Sequence, residues 1–136
     1  MSGTVVVDCS ALVHFLANRD LLGRAVRTRV GAADAVAMPT LIDYEIQSAL
    51  LGMRRGGKLT AREVAKAVDA YRQLQLVRHE TLFLCNCVEV LHGNLSTNDA
   101  QYVARAEALG ATFITSDARI ERSGAAKCCI EVFGSN

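Results

Sequence analysis

The chain is 136 residues long, 51% hydrophobic, with one proline and a net charge of +1. That length suits one domain whose core is large enough for helices on both faces of a sheet, and the composition excludes a disordered or fibrous chain. No apolar run approaches the ~18–20 residues that span a bilayer, so no membrane partner is expected.

In chain order, Thr4 to Asp8 is a β-branched run that reads as a buried strand. Ser10 to Ala17 and Asp20 to Ala32 read as helices, and Ala35 to Ala37 as a small strand ended by Met38-Pro39. Thr40 opens a helix to about Arg55 with Asp43 as its capping pair, and Gly56-Gly57 stops it. Thr60 with Glu63 is a second capping box, for a helix to about Leu74. Leu76 to Arg78 is a minor strand, and Thr81 to Leu91 a helix that His92-Gly93-Asn94 breaks. Ser96 with Asp99 is a third capping box, for a helix to Leu109 that Gly110 terminates. Ala111 to Thr115 and Ile130 to Phe133 complete the strands. Apolar strands alternating with helices predict an α/β fold, a mainly parallel central sheet covered on both faces, with no linker or repeat.

The start, Met-Ser-Gly-Thr-Val-Val-Val-Asp, lacks a basic region and cleavage site, so a cytoplasmic location is expected. The cysteines agree with it. They number five, and Cys128 and Cys129 are adjacent, which argues against a disulfide framework. Cys85 and Cys87 with Cys128-Cys129 have the wrong spacing for zinc and no histidine pair, so free, mostly buried thiols are expected. Charge is uneven. Arg54, Arg55, Lys58, Arg62, Lys66, Arg72 and Arg78 face only Glu63 and Asp69 in one stretch, and Arg19, Arg24, Arg27 and Arg29 form another. Solvated helix faces account for any one of these; together they suit a phosphate backbone.

Four carboxylates stand where apolar residues or strand ends belong. Asp8 and Asp117 follow the strands Val5-Val6-Val7 and Phe113-Ile114-Thr115, at the carboxyl edge where parallel sheets bind ligands. Capping the next turn is the competing role for each. At about 100° per residue, Glu45 falls between Leu41 and Ala49 in the apolar arc of its helix. Asp43 is already assigned the cap there, which leaves Glu45 either a ligand or a surface residue at the edge of the arc. Asp99 is explained by its capping box, yet it shares a face with Val103 and Ala106, flanked by Tyr102, and so points inward.

Carboxylates about 4 Å apart repel by roughly 4 kcal/mol per pair at an effective dielectric near 20, so such a set protonates, splays or binds cations. Oxygen ligands select Mg2+ or Mn2+ over zinc, and such an ion polarises a phosphoryl oxygen and acidifies a water for in-line attack. His14, His79 and His92 have no patterned partners for a nucleophilic triad, and no glycine-rich phosphate loop is present. A haloacid-dehalogenase-like phosphatase needs a second Asp where Ser10 stands. A response-regulator receiver needs paired acids and a mid-sheet phosphoacceptor, which are absent.

Four stretches in order then carry a resemblance: Val5 to Leu12 around Asp8 and Ser10, Met38 to Leu50 around Glu45, Asn94 to Gly110 around Asp99, and Phe113 to Arg119 around Thr115 and Asp117. Over nearly its whole length the chain resembles the PIN-domain nucleases, specifically the VapC-type toxins of bacterial toxin–antitoxin pairs. The resemblance implies a single three-layer α/β/α PIN domain over residues 1–136. It implies Asp8, Glu45, Asp99 and Asp117 as catalytic acids around one or two Mg2+ or Mn2+ ions, with the Ser10 and Thr115 hydroxyls supporting them. It further implies endonucleolytic hydrolysis of RNA by a metal-activated water, a VapB-type antitoxin partner and a homodimer. Arg54, Arg55, Lys58 and Arg119 are candidate phosphate contacts. Asn98 departs from the family pattern, which commonly places an aromatic there, as do Cys87 and Glu89 where Arg and Trp are frequent. The alternative is a PIN-like domain that binds RNA or antitoxin without cutting.

Overall fold

The computed structural model describes residues 3–134. Five strands form one parallel sheet: β1 (Thr4–Val7), β2 (Ala35–Pro39), β3 (Leu76–His79), β4 (Thr112–Thr115) and β5 (Ile130–Val132), in the order β3-β2-β1-β4-β5. β1 is central because it is apolar all round. Val5, Val6 and Val7 are buried, pairing with Val36 and Ala37 on one side and with Thr112, Phe113 and Ile114 on the other. The helices are α1 (Cys9–Ala17), α2 (Leu21–Gly31), α3 (Ile42–Arg55), α4 (Ala61–Gln73), α5 (Cys85–Leu91), α6 (Thr97–Leu109) and α7 (Ala118–Arg122).

Parallel connections are right-handed, so stepping from β1 to β2 to β3 places α1 to α4 on one face. The return from β3 across to β4, and on to β5, places α5 to α7 on the other. Packing agrees: α1 meets α2, α3 and α4, whereas α6 meets α5 and strands β1, β2 and β4. The reversal of strand order lies between β1 and β4. This is the three-layer arrangement expected from the alternation of strands and helices.

Local chemistry sets the element boundaries. Asp20 caps α2 through Gly23 N–H, and at Gly23 a Cβ would lie 2.0 Å from the Asn18 carbonyl, so only glycine lets α2 approach the end of α1. Arg27 donates to the carbonyls of Asn18 (2.7 Å) and Phe15 (3.1 Å), which α1 leaves unmet at its C-terminus. The capping box of α4 forms in full, and Gly110 ends α6 in the left-handed region at φ 64°.

Five expectations are corrected. Proline does not end β2 early: Met38 and Pro39 pair with Arg78 and His79 of β3, and β1 has ended by then, so the missing N–H breaks no ladder. Thr40 and Asp43 do not cap α3, which begins at Ile42 behind Leu41 with no side-chain cap. Asp43 instead accepts from Arg78 Nε at 2.9 Å and from the Tyr71 hydroxyl, joining α3, β3 and α4. The helix expected over Thr81 to Leu91 splits into a 3-10 turn (Leu82–Leu84) and α5. Beyond Asp117 a short helix, α7, replaces an unassigned turn. The thiols are not mostly buried: Cys85 and Cys129 are exposed and Cys9, Cys87 and Cys128 are half-buried, all of them free.

Candidate active site

Four elements bring the acids to the carboxyl edge of the sheet. β1 ends at Val7 and the chain turns into α1 with Asp8 as N-cap, its side chain accepting from Ala11 N–H at 3.0 Å. α3 begins at the same edge, carrying Glu45 in its first turn. α6 runs back toward the start of β4, so its first turn, with Asp99, lies at that edge too. Asp117 follows β4 across the reversal from β1, and also caps α7 through Arg119 N–H at 3.0 Å. Capping and clustering therefore coexist at Asp8 and Asp117.

Asp8 is 5% exposed. Its Oδ1 accepts from Ser10 Oγ at 2.7 Å and its Oδ2 from Thr115 Oγ1 at 2.5 Å. Those hydroxyls also receive the backbone of the neighbouring strand end, Ser116 N–H on Ser10 (3.0 Å) and Asp117 N–H on Thr115 (2.9 Å). Ser10 and Thr115 thus lock the ends of β1 and β4 together around one carboxylate. Burial pushes the Asp8 carboxyl up to about 6; its three hydrogen bonds oppose this, and the charge of Asp99 adds to it.

Glu45 is half-buried and held from the opposite layer. Its Oε1 accepts from the Tyr102 hydroxyl at 2.5 Å and its Oε2 from Asn98 Nδ2 at 2.6 Å. Burial and then Glu45 raise the Tyr102 phenol well above its ordinary range, which keeps it a donor. The Cys9 thiol is pushed up to about 12 by burial, then by Glu45 and Asp8. Asp99 is half-buried; burial raises its carboxyl, the Ser96 hydroxyl and Arg119 hold it down, and Asp117 and Glu45 push it further up. Its N–H donates to Ser96 Oγ at 3.1 Å, the helix-capping half of the expected box. Asp117 is different. Arg119 grips both its oxygens, Nη2 at 2.7 Å from Oδ2 and Nε at 3.0 Å from Oδ1, and holds its carboxyl below the ordinary range.

Four carboxylates therefore share one edge with one guanidinium in ion-pair contact, that of Arg119, among the described residues. The set is all oxygen, mutually repelling and, at Asp8 and Asp99, hard to ionise without further positive charge. Its chemistry fits a hard divalent cation. Among the described residues, no three such side chains stand close enough together to enclose an ion. The other proposed basic contacts lie elsewhere. Arg54 and Arg55 are exposed at the far end of α3, about 14 Å of helix from Glu45, with Lys58 just beyond. Tyr102 and Asn98 are the partners of Glu45 that the sequence left without a role. Their spacing of four along one helix was the available signal.

The family model described as the PIN domain matches residues 5–125. This chain belongs to the PIN-domain family. The PIN domain is of the VapC type: it is 34% identical over 128 residues to VapC ribonuclease Mb0985 of Mycobacterium bovis, covering 94% of this chain and 97% of that protein. It is 38% identical over 119 residues to Ribonuclease VapC3 of Mycobacterium tuberculosis, covering 88% and 86%. Among solved structures, VapBC2 of Rickettsia felis, bound to a DNA fragment from its promoter, matches with a TM-score of 0.68 at 12% identity, covering 96% of this chain and 98% of that one. Mycobacterium tuberculosis VapC20, a sarcin–ricin loop cleaving toxin, matches with a TM-score of 0.65 at 16% identity, covering 88% and 95%. At those identities the structural likeness is one of fold. No helix among the described residues is long and apolar enough to cross a membrane.

Proposed function

We propose that this chain, acting as a single PIN domain over residues 1–136, is a Mg2+-dependent endoribonuclease and the toxin of a type II toxin–antitoxin pair in the cytoplasm. The observation that carries this reading is that Asp8, Glu45, Asp99 and Asp117 all lie along the sheet edge at the β1/β4 reversal, where, among the described residues, Arg119 is the one arginine paired with any of them. The names of the VapC ribonucleases to which it is similar support RNA as substrate. The Rickettsia felis VapBC2 neighbour supports a VapB-type antitoxin as partner, and a homodimer belongs to the same reading.

Asp8, Glu45 and Asp99 would hold one or two Mg2+ or Mn2+ ions, with Asp117 as a further ligand or as the group that orients the attacking water. A bound ion supplies charge neutralisation on the phosphoryl oxygens and a water of lowered pKa. The protein's own groups prepare the site. Ser10 and Thr115 hold both oxygens of Asp8, leaving it no freedom to rotate away. Arg119, 79% exposed, can exchange Asp117 for a phosphate of the incoming strand, because its guanidinium already lies at the site.

Cleavage of an RNA substrate with Mg2+, with EDTA, and by Asp8→Asn tests the reading. Loss of cleavage in EDTA and at least a ~100-fold fall in the variant are expected, the scale of losing one preorganised charged group. Full activity in EDTA, or equal cleavage by the variant, would sink it. Tight RNA or antitoxin binding without metal-dependent turnover would favour the non-cutting alternative.

A further inference from the structure

Both carboxylate oxygens of Glu45 are received by one helix. Tyr102 and Asn98 lie four residues apart on α6, on either side of Asp99, and reach across the sheet edge to an acid 53 and 57 positions earlier in the chain. α6 thus contributes one acid of the cluster and grips another. We propose that Tyr102 and Asn98 are positioning residues that hold the Glu45 carboxylate as a ligand for the divalent cation, an inference that rests on reading the acid cluster as a Mg2+ or Mn2+ site.

Three features support this role over ordinary core packing. A buried phenol needs an acceptor wherever it lies, so the bond from Tyr102, 1% exposed, has a bland explanation taken alone. Asn98 has none: it is exposed, water would satisfy its amide, and it still donates to Glu45 at 2.6 Å. Second, both donors are neutral. At Asp117 an arginine cancels the charge it grips, whereas at Glu45 the carboxylate is oriented with its full charge left for a cation. Third, each carboxylate oxygen has two acceptor positions, and one donor on each leaves one on each open. The two grips also differ in mobility. The Tyr102 ring is fixed by the core that surrounds it, with Val103 and Phe113 buried in the same cluster, whereas Asn98 can rotate into solvent.

The test measures Mn2+ binding to the RNA-free protein by calorimetry and by the electron paramagnetic resonance of free Mn2+. Tyr102→Phe and Asn98→Ala are each expected to weaken binding about ten- to a hundred-fold, the usual cost of losing a partner that orients a metal ligand. Tyr71→Phe removes a like phenol–carboxylate bond, to Asp43 away from the cluster, and leaves Mn2+ affinity unchanged. Raising Mn2+ should restore cleavage by Asn98→Ala with the KM for RNA unaltered. Unchanged Mn2+ affinity in Asn98→Ala and in folded Tyr102→Phe, with or without a lower Tm, would overturn the proposal. Should Tyr102→Phe fail to fold, the exposed Asn98 position decides alone. A parent protein that binds no Mn2+ overturns the cation reading itself, and this proposal with it.

Discussion

Burial and charge oppose each other at Asp8, whose carboxyl lies at about 6 rather than its ordinary 3.8. The folded state therefore keeps a proton between about pH 4 and 6 that the unfolded chain releases, so folding stability falls as pH rises through that window. Above it, the metal-free protein carries a penalty of up to about 3 kcal/mol. Asn at this position keeps an acceptor for Ser10 and Ala11 and presents an amide to Thr115. Metal-free Asp8→Asn should thus melt higher than the parent at pH 7.5, with the advantage fading toward pH 4. Thermal melts of variant and parent in EDTA at the two pH values check this, and an advantage over the parent no larger at pH 7.5 than at pH 4 would contradict it. The same substitution is expected to abolish cleavage, so stability and catalysis pull in opposite directions at one residue. The sequence marked Asp8 by its place after three valines. It could not rank capping against clustering, because the same carboxylate does both.

At the scale of elements, the helix starts show where local rules suffice. Thr60 and Glu63 exchange two hydrogen bonds, 2.8 Å and 3.1 Å, within four residues of one another, and the box was legible in the sequence because it needs nothing from the rest of the fold. Thr60→Ala should cost about 1 kcal/mol of stability, read from denaturant midpoints, with RNA cleavage unchanged. A loss of cleavage without a loss of stability would place Thr60 in the site instead. At α3 the same kind of rule failed. Asp43 was assigned the cap, yet Tyr71 and Arg78 from α4 and β3 offer it a hydroxyl and a guanidinium, and those bonds outcompete one orphan amide. Removing Asp43 from the cap weakens the argument by elimination for Glu45. The observed bonds to Asn98 and Tyr102 replace it with a direct one.

For the whole molecule, the acids come from β1, α3, α6 and the end of β4, so a cation held among them would tie both helical layers to the centre of the sheet. Any ligand that binds only the folded state stabilises it, by about 2.7 kcal/mol at a hundred times its Kd. Mg2+ or Mn2+ should therefore raise the Tm of the entire chain in one transition. The rise should be larger at pH 7.5 than at pH 5, since protons compete at Asp8 and Asp99, whose carboxyls are both raised. Asp8→Asn should lose most of it. Differential scanning calorimetry with and without Mn2+ measures this, and an equal rise in the variant would exclude Asp8 as a ligand.

The sequence by itself determined the succession of strands and helices along the chain, the buried apolar first strand and where the four acids fall on these elements, because burial period, cap chemistry and strand ends are local properties. Tertiary structure decided what each acid meets. Glu45 finds Asn98 and Tyr102 from the opposite layer, Asp8 finds Thr115 from the neighbouring strand, and Asp43 is drawn away from its helix end. Arg54, Arg55 and Lys58 lie far along α3 from the acids, whereas Arg119 is paired within them. The physical reason is the reversal of strand order between β1 and β4. It joins residues a hundred positions apart at one edge, and no period along the chain reports which faces will close on each other there.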